Sequence, residues 1–144
     1  MLIDYHMHTR LTDGAGEPAD YAAVAIECGL DEIGCADHAP LGDRDTDWHM
    51  KLADLDTYVG WVRDAQTKFP QLPIKLGLEV DFIPGREDWV RDLAAMYPWD
   101  FFLGSVHFIG DWSVDDRRMS TGACAPRTAR IFRASAIPSI SGIW

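Results

Sequence analysis

Hydrophobic and polar positions alternate with two different periods along the first three quarters of the chain. Four short apolar runs, at residues 2–5, 32–36, 74–80 and 101–106, have the length and bounding residues of buried strands. Between these runs, three stretches place apolar residues three or four positions apart, as on one face of a helix. The pattern therefore predicts the element order βαβαβαβ.

Local signals mark the ends of the predicted helices. Pro18 suits the first turn of the first helix and Gly29 suits its end, while Asp54 is a candidate N-cap for the second helix, which ends before Pro70. The third helix is predicted at about 87–97. The buried face of the first helix is predicted to consist of Tyr21, Val24, Ala25 and Cys28.

Strands that alternate with helices favour a parallel sheet, because each right-handed crossover returns the chain to the same end of the layer. Four strands can begin a barrel but cannot close it, and a complete (β/α) barrel typically needs about 200–250 residues. The 144 residues are therefore expected to form an α/β fold equivalent to the first part of a barrel. A small open doubly wound sheet is the alternative.

Composition narrows the class of protein. With 47% hydrophobic and 25% charged residues the chain is expected to be globular, and its net charge of −10 excludes nucleic-acid binding through a basic patch. The amino terminus has no leader-like pattern and no apolar run reaches about 18 residues, so a cytoplasmic protein is expected. Cys28, Cys35 and Cys124 show no C-x-x-C spacing; they are expected to be reduced, with two of them in the core.

The charge changes sharply near Asp116. All 23 acidic residues and 8 basic residues lie in 1–116, whereas 117–144 contains five arginines, no acidic residue and no sustained hydrophobic period. We therefore predict a partial barrel domain at 1–116 and a basic irregular tail at 117–144. A truncated or frameshifted product is our interpretation of this change, and a natural basic extension on an acidic body is the other.

Residues of metal-binding types follow all four predicted strands. His6 and His8 end the first strand, His38 the second, Glu79 lies in the third and His107 follows the fourth. Positions i and i+2 of a strand share one face, and parallel strands bring their carboxyl ends to one rim. Each pattern alone is weak, but four strand ends together predict a site for zinc, manganese or iron.

Two further residues in the loop after the second strand are candidates for binding a substrate. Arg44 could contact a phosphate, with an ordinary surface charge as the alternative. His49 could bind substrate or pass a proton, although a solvent-facing loop histidine is the commoner case.

Four motifs together resemble one known family. They are H-M-H-T near the amino terminus, A-D-H-A-P after strand two, G-L-E-V-D on strand three and G-S-V-H-F-I-G-D-W after strand four. They are similar to the polymerase and histidinol phosphatase (PHP) family, in its histidinol-phosphatase branch, over residues 1–116. The resemblance implies a distorted (β/α)7 barrel with two to three divalent ions that hydrolyses L-histidinol phosphate, a small-molecule phosphate ester, during histidine biosynthesis.

The resemblance also implies roles for individual residues. His6, His8 and Glu79 would hold one ion, Glu79 and His107 a second, and His38 a third. A further family ligand is expected shortly after H-M-H-T, where Asp13 could substitute. The family's later ligands have no counterpart, because no histidine follows His107, so the activity of this chain is open.

The expected chemistry needs no side-chain nucleophile, because paired divalent ions activate water and bind phosphoryl oxygens. Two alternatives remain: a non-catalytic metal-binding fragment, and another metal hydrolase such as an amidohydrolase or nuclease. An unclosed sheet would leave the strand at 101–106 with unpaired backbone groups, which predicts self-association.

Overall fold

A computed structural model describes residues 1–42, 46–109 and 112–113, and these contain the predicted alternation of strands and helices. The elements are β1 (Ile3–Met7), α1 (Pro18–Glu27), β2 (Glu32–His38), α2 (Leu55–Lys68), β3 (Ile74–Asp81), α3 (Glu87–Met96) and β4 (Phe101–Ser105). A short 3-10 turn precedes α2, and a two-stranded hairpin of β5 (Phe108–Ile109) and β6 (Trp112–Ser113) follows β4. The predicted order βαβαβαβ is confirmed.

The four long strands form one parallel sheet in the order β1-β2-β3-β4. Pairing between β2 and β3 is regular and places His38 opposite Glu79, while pairing between β1 and β2 is irregular between Asp4 and Met7. With three helices against it, the sheet is a curled half-barrel, as the sequence predicts. The regular centre of this sheet is the frame on which the candidate site lies.

One face of the sheet carries the hydrophobic core. Ile33 and Cys35 of β2 and Leu76 and Leu78 of β3 belong to one buried cluster, which also contains residues of α1 and α2. Tyr58 of α2 belongs to the same cluster, and its hydroxyl donates a 2.7 Å hydrogen bond to a carbonyl of β3. Successive side chains of a strand point to opposite faces, so alternate positions of β3 are left for the other face.

Aromatic rings fill the amino-terminal part of that other face. The Phe101 ring lies over two glycines: an added Cβ would be 2.4 Å from Phe101 Cζ at Gly77 and 2.8 Å at Gly34. Tyr5 stacks on Phe101 with ring centroids 5.1 Å apart. The glycines therefore provide the space that this ring occupies, and the carboxyl-terminal part of the same face holds the candidate ligands.

The predicted buried face of α1 is only partly correct. Pro18, Ala22 and Ala25 are its buried residues, whereas Val24 is 57% exposed and Cys28 is also exposed. The small residues Ala22 and Ala25 form the side of α1 that packs into the core, and the larger Val24 lies outside it. Of the three cysteines, two of which are expected in the core, Cys35 is buried and Cys28 is exposed, while Cys124 lies outside the described residues, so that expectation stays a prediction.

The helix boundaries agree closely with the local signals. Pro18 is the first residue of α1, and Gly29, with φ at 73°, follows its end. Asp54 occupies the N-cap position of α2, but its side chain makes no capping hydrogen bond. None of the helices in the described part of the chain has both the length and the apolar character needed to cross a bilayer. The predicted division at residue 116 is untested, since 117–144 is outside that part.

Candidate metal centre

The predicted ligands meet where the carboxyl ends of the strands converge. His6 Nε2 and His8 Nε2 lie 3.1 and 3.0 Å from Glu79 Oε2. His38 Nδ1 lies 3.2 Å from the same oxygen, and His107 Nε2 lies 3.7 Å from Glu79 Oε1. The structure thus brings four imidazoles, from two strand ends and the segment after β4, around one carboxylate of β3.

There are three groups in which the donor atoms, one from each residue, all lie within 4.8 Å of one another. We call His6, His8 and Glu79 the outer group, and His38, Glu79 and His107 the inner group. The third group combines His8 and His38 with Asp13. Glu79 joins the outer and inner groups, so one carboxylate could serve two neighbouring ions.

Neighbouring imidazoles keep Glu79 ionised despite its burial. Its side chain is only 6% exposed, and burial alone would raise its pKa, but the neighbouring imidazoles of His8 and His6 lower that pKa to about 2. Burial disfavours the charged form of His8, yet Glu79 and Asp13 raise its pKa to about 9. Burial lowers the pKa of His38 to about 4, so its ring is neutral at pH 7.

Two buried nitrogens make this arrangement suited to a divalent ion. His8 Nε2 and His38 Nδ1 form no hydrogen bond within the described residues, although both lie within 3.2 Å of Glu79 Oε2. An unpaired buried polar atom is costly. Tetrahedral ligands at about 2.0–2.1 Å from zinc lie about 3.3 Å from one another, and the four imidazole nitrogens here lie 3.0–3.7 Å from a Glu79 oxygen. The residues present therefore fit such an ion.

Asp13 reaches the same place from the loop after β1. Its Oδ1 lies 2.7 Å from His8 Nδ1, and its Oδ2 lies 3.6 Å from His38 Nε2. Burial opposes ionisation of Asp13, but His8 and His38 hold its pKa below the ordinary value. The loop thus places the Asp13 carboxylate beside those ring nitrogens of His8 and His38 that face away from Glu79. An open hollow of about 460 Å³ beside the outer group is lined by His6, Met7, His8, Asp13, Gly14 and Tyr21.

Comparison with known proteins identifies the family. The sequence model of the PHP domain matches residues 4–132. The chain belongs to the PHP family. The resemblance found in the four motifs is thereby confirmed.

Two relatives of the chain carry the name histidinol-phosphatase. A Deinococcus radiodurans protein named "Probable histidinol-phosphatase" is 40% identical over 118 residues, covering 80% of this chain and 45% of the relative. Bacillus subtilis histidinol-phosphatase is 32% identical, covering 74% and 44%. The PHP chain therefore spans less than half the length of these two relatives.

A solved structure supports the same relationship. The histidinol phosphate phosphatase of Lactococcus lactis, in complex with zinc, L-histidinol and phosphate, aligns with a TM-score of 0.62 and 26% identity. The alignment covers 78% of the PHP chain and 42% of that protein. The half-barrel described above is thus similar in fold to part of a phosphatase that binds zinc.

Asp37 is a buried carboxylate that sequence analysis missed as a functional residue. It accepts hydrogen bonds from the Thr9 backbone N–H, from Thr9 Oγ1 and, at 2.9 Å, from Thr12 Oγ1. Burial raises the pKa of Asp37 although these hydrogen bonds oppose that rise. Asp37 therefore fixes the loop that carries Asp13 in the PHP chain. Its position directly before His38 was the available signal.

Asp81 is a second buried carboxylate beside the site. It lies two positions after Glu79 on the same face of β3, and its partners include His49 Nε2 at 2.6 Å and His107 Nδ1 at 2.8 Å. Burial would raise the pKa of Asp81, but His49 and His107 lower it to about 2. The G-L-E-V-D motif contains this residue, and the spacing of the two acids was the signal that could have identified it.

The two predicted substrate-binding residues have different outcomes. His49 is 5% exposed, so the solvent-facing alternative is wrong: the hydrogen bond to Asp81 holds the ring inside. Arg44 lies outside the described residues. Trp48, also missed from sequence, packs edge-on against His38 and His107 with ring centroids 4.6 and 4.9 Å away and thereby covers the inner group.

Proposed function

We propose that the chain is a metal-dependent phosphatase that hydrolyses L-histidinol phosphate to L-histidinol and phosphate. The observation that carries this proposal is the convergence of His8 Nε2 and His38 Nδ1, both buried and without hydrogen bonds in the described residues, on Glu79. The Lactococcus lactis relative, with zinc, L-histidinol and phosphate, supports the choice of metal and substrate. Family membership supports the reaction class.

The proposal includes two ions, one in the outer group and one in the inner group. A neutral imidazole offers a single lone pair, because its other nitrogen carries a proton. When His8 Nε2 serves the outer group, Nδ1 is protonated and donates to Asp13 at 2.7 Å. When His38 Nδ1 serves the inner group, Nε2 is protonated and faces Asp13 at 3.6 Å.

This assignment of ligands differs from the sequence-based expectation in two ways: Asp13 does not bind an ion, and His38 does not hold a separate third ion. Asp13 would act as the hydrogen-bond acceptor that orients His8, which is a common support for a metal-binding imidazole. A third ion at Asp13 would need lone pairs on His8 Nδ1 and His38 Nε2, which carry the protons in this assignment. A stoichiometry of three would overturn this part of the proposal.

Zinc is the proposed ion, and manganese and iron are the alternatives. Sets of imidazole nitrogens with one carboxylate are typical of zinc sites that leave a position open for water or substrate. When bound, such ions supply a Lewis acid for the phosphoryl oxygens and activate water. They would also offset the net charge of −10, which otherwise repels a phosphate ester.

The chain's own residues would perform the binding and orientation. Ionised Glu79 would neutralise part of the ion charge in both groups, and the hollow beside His6 and His8 offers the substrate an approach from solvent. Both ring nitrogens of His49 are engaged, by Asp81 and Thr46, so it is assigned a supporting role and not substrate binding. Arg44 as a phosphate contact stays a prediction.

The test combines metal content and turnover on the same sample. Native mass spectrometry of the chain loaded with zinc is expected to show two ions, and release of inorganic phosphate from L-histidinol phosphate is expected to accompany them. Glu79→Gln should abolish both. The matched control is Glu27→Gln, which removes the charge of an exposed glutamate at the end of α1 and should change neither.

The alternative functions give different outcomes. Bound ions without turnover would favour a non-catalytic metal-binding fragment, for which the coverage of less than half of the relatives is a supporting observation. Turnover of an amide or a nucleic acid, with none of L-histidinol phosphate, would favour another kind of metal hydrolase. A chain that binds no ion would contradict all of these proposals.

We also propose that the chain self-associates. Among the described strands, β4 pairs only with β3, and its residues Phe101–Ser105 leave one edge available for another strand. Light scattering after size exclusion should show a mass above 16.1 kDa, and a monodisperse monomer would contradict the proposal. The cytoplasmic location stays a prediction that cell fractionation can check.

A further inference from the structure

Asp81 is surrounded by hydrogen-bond donors on both of its oxygens. Oδ2 faces His49 Nε2 at 2.6 Å, while Oδ1 faces His107 Nδ1 at 2.8 Å and the His107 backbone N–H at 3.1 Å. The Ser105 hydroxyl approaches Oδ1 at 3.3 Å. The Asp81 side chain is only 2% exposed, so these protein groups replace nearly all of its water.

These contacts determine where the imidazole protons lie. An ionised carboxylate only accepts hydrogen bonds, so an imidazole nitrogen bonded to it carries a proton. His107 is therefore protonated on Nδ1, and its Nε2 keeps the lone pair when the ring is neutral. That Nε2 is the atom 3.7 Å from Glu79 Oε1, on the side of the inner group.

His49 provides an independent check on this proton placement. The same rule places a proton on His49 Nε2 and leaves Nδ1 as an acceptor. Nδ1 lies 2.6 Å from Thr46 Oγ1, and this oxygen also accepts the His49 backbone N–H at 3.2 Å. The Thr46 hydroxyl therefore donates its hydrogen to His49 Nδ1. One placement of protons satisfies the contacts of His49 with Asp81 and Thr46 and the contact of His107 with Asp81.

We propose that Asp81 is a positioning residue that fixes His107 in the tautomer with its proton on Nδ1, so that Nε2 presents a lone pair to the inner group. His49 acts through Asp81: its hydrogen bond holds the second carboxylate oxygen and thereby the angle at which Oδ1 meets His107. The link to metal binding rests on the proposed function, whereas the tautomer assignment does not.

The expected effect on metal binding follows from the behaviour of such partners elsewhere. Loss of the carboxylate that orients a metal-binding imidazole typically lowers metal affinity about 10–100-fold. Asp81→Asn retains the size of the side chain but offers one oxygen to two imidazole donors, and its N–H groups find an acceptor there only when a ring shifts its proton to the other nitrogen. It should therefore weaken the inner group and leave the outer group within about threefold.

Nitrogen-15 NMR of histidine-labelled, metal-free chain tests the tautomer directly. The spectra are recorded about two pH units above the ordinary imidazole pKa of about 6.5, where rings tend to be neutral. Wild-type His107 is expected in the Nδ1–H form, and Asp81→Asn is expected to give a mixture or the Nε2–H form. The matched control is Asp37→Asn, a buried aspartate whose hydrogen-bond partners in the described part of the chain are Thr9 and Thr12, and it should leave His107 unchanged.

Zinc titration with a competing chelator provides the second measurement. Asp81→Asn should lose about 10–100-fold in affinity at one of two sites. Wild-type His107 in the Nε2–H form would overturn the proposal even where the variant does not fold. An unchanged tautomer in folded Asp81→Asn would overturn it as well. A wild-type chain with the Nδ1–H form that binds no zinc would retain the tautomer assignment and contradict the proposed phosphatase function instead.

Discussion

The outer and inner groups share Glu79 but differ in their surroundings. His6 of the outer group is on the edge strand β1 and its side chain is 57% exposed, whereas His38 of the inner group is on the central strand β2 and is 6% exposed. Pairing of β1 is irregular where His6 lies, and pairing of β2 with β3 is regular. Regular strand register therefore fixes the inner group, and the outer group is the one open to solvent.

The two groups also depend on different buried carboxylates. Asp81 contacts His107 of the inner group directly. Asp37 acts on the outer group at one remove, since it holds Thr9 and Thr12 and thereby the loop that places Asp13 beside His8. Protein side chains thus hold the inner ligands in place before an ion binds, while the outer ligands rely on a loop. We expect tighter binding at the inner group and faster exchange at the outer group.

The largest effect is expected from Glu79→Gln, which removes the feature that the two groups share. A neutral amide is a poor substitute for a bridging carboxylate, so zinc affinity should fall by more than about 100-fold at both sites. Isothermal titration measures both events. A loss confined to one site would show that the groups do not share Glu79.

Separate removal of His38 and His6 should distinguish the groups next. His38→Ala deletes a buried ring that packs against Trp48 and His107, so it should abolish the inner ion and lower the free energy of unfolding by about 1–3 kcal/mol. His6→Ala alters an exposed side chain and should change that free energy by less than about 0.5 kcal/mol while weakening the outer ion. Equal destabilisation in denaturant unfolding would contradict the contrast.

The pH dependence of zinc affinity should differ between the groups as well. The metal-free pKa of His8 is raised to about 9, so an ion entering the outer group at pH 7 displaces a proton, and affinity should rise about tenfold per unit up to about pH 9. The pKa of His38 is lowered to about 4, so this ring adds no such dependence above pH 5. Calorimetry in buffers of different ionisation enthalpy counts the protons. Proton release at neither site would contradict this prediction.

The smallest effect is expected from Thr12→Val. The substitution removes one of the hydrogen bonds to Asp37, which costs about 0.5–1.5 kcal/mol of unfolding free energy, and it should weaken the outer group only a few-fold. Thr67→Val is the matched control: this exposed threonine of α2 bonds the Arg63 carbonyl, and its loss should stay within about 0.5 kcal/mol. A weakened inner group would show that the loop supports both groups.

Strand-end placement is the part of the site that sequence could predict. The hydrophobic period and the residues that bound each apolar run indicate where a strand ends, and parallel strands bring those ends together. The ligands could therefore be chosen without coordinates: His6, His8, His38, Glu79 and His107. Asp13, predicted as a ligand from the loop after β1, also lies close to one of these histidines, 2.7 Å from His8 Nδ1. Family motifs then narrowed the chemistry that residue types alone leave broad.

The supporting carboxylates could not be predicted in the same way. Asp37 and Asp81 look like ordinary strand-end acids, and only the coordinates show which donors surround each oxygen. His49 was assigned to a solvent-facing loop as the commoner case because loop position carries no information about burial. For α1, the predicted face contains the buried Ala25 but misses Pro18 and Ala22, because helical spacing alone does not say which of two neighbouring stripes meets the core.

The Phe101 ring over Gly77 and Gly34 has a consequence for how this chain can change through evolution. A methyl group at position 77 would meet the ring at 2.4 Å, so a larger residue there requires the Phe101 ring to move or to be smaller. A larger residue at position 77 is therefore expected only together with, or after, a smaller side chain at position 101. Across descendants of this sequence, these two positions should therefore covary as a linked pair even though neither touches a ligand.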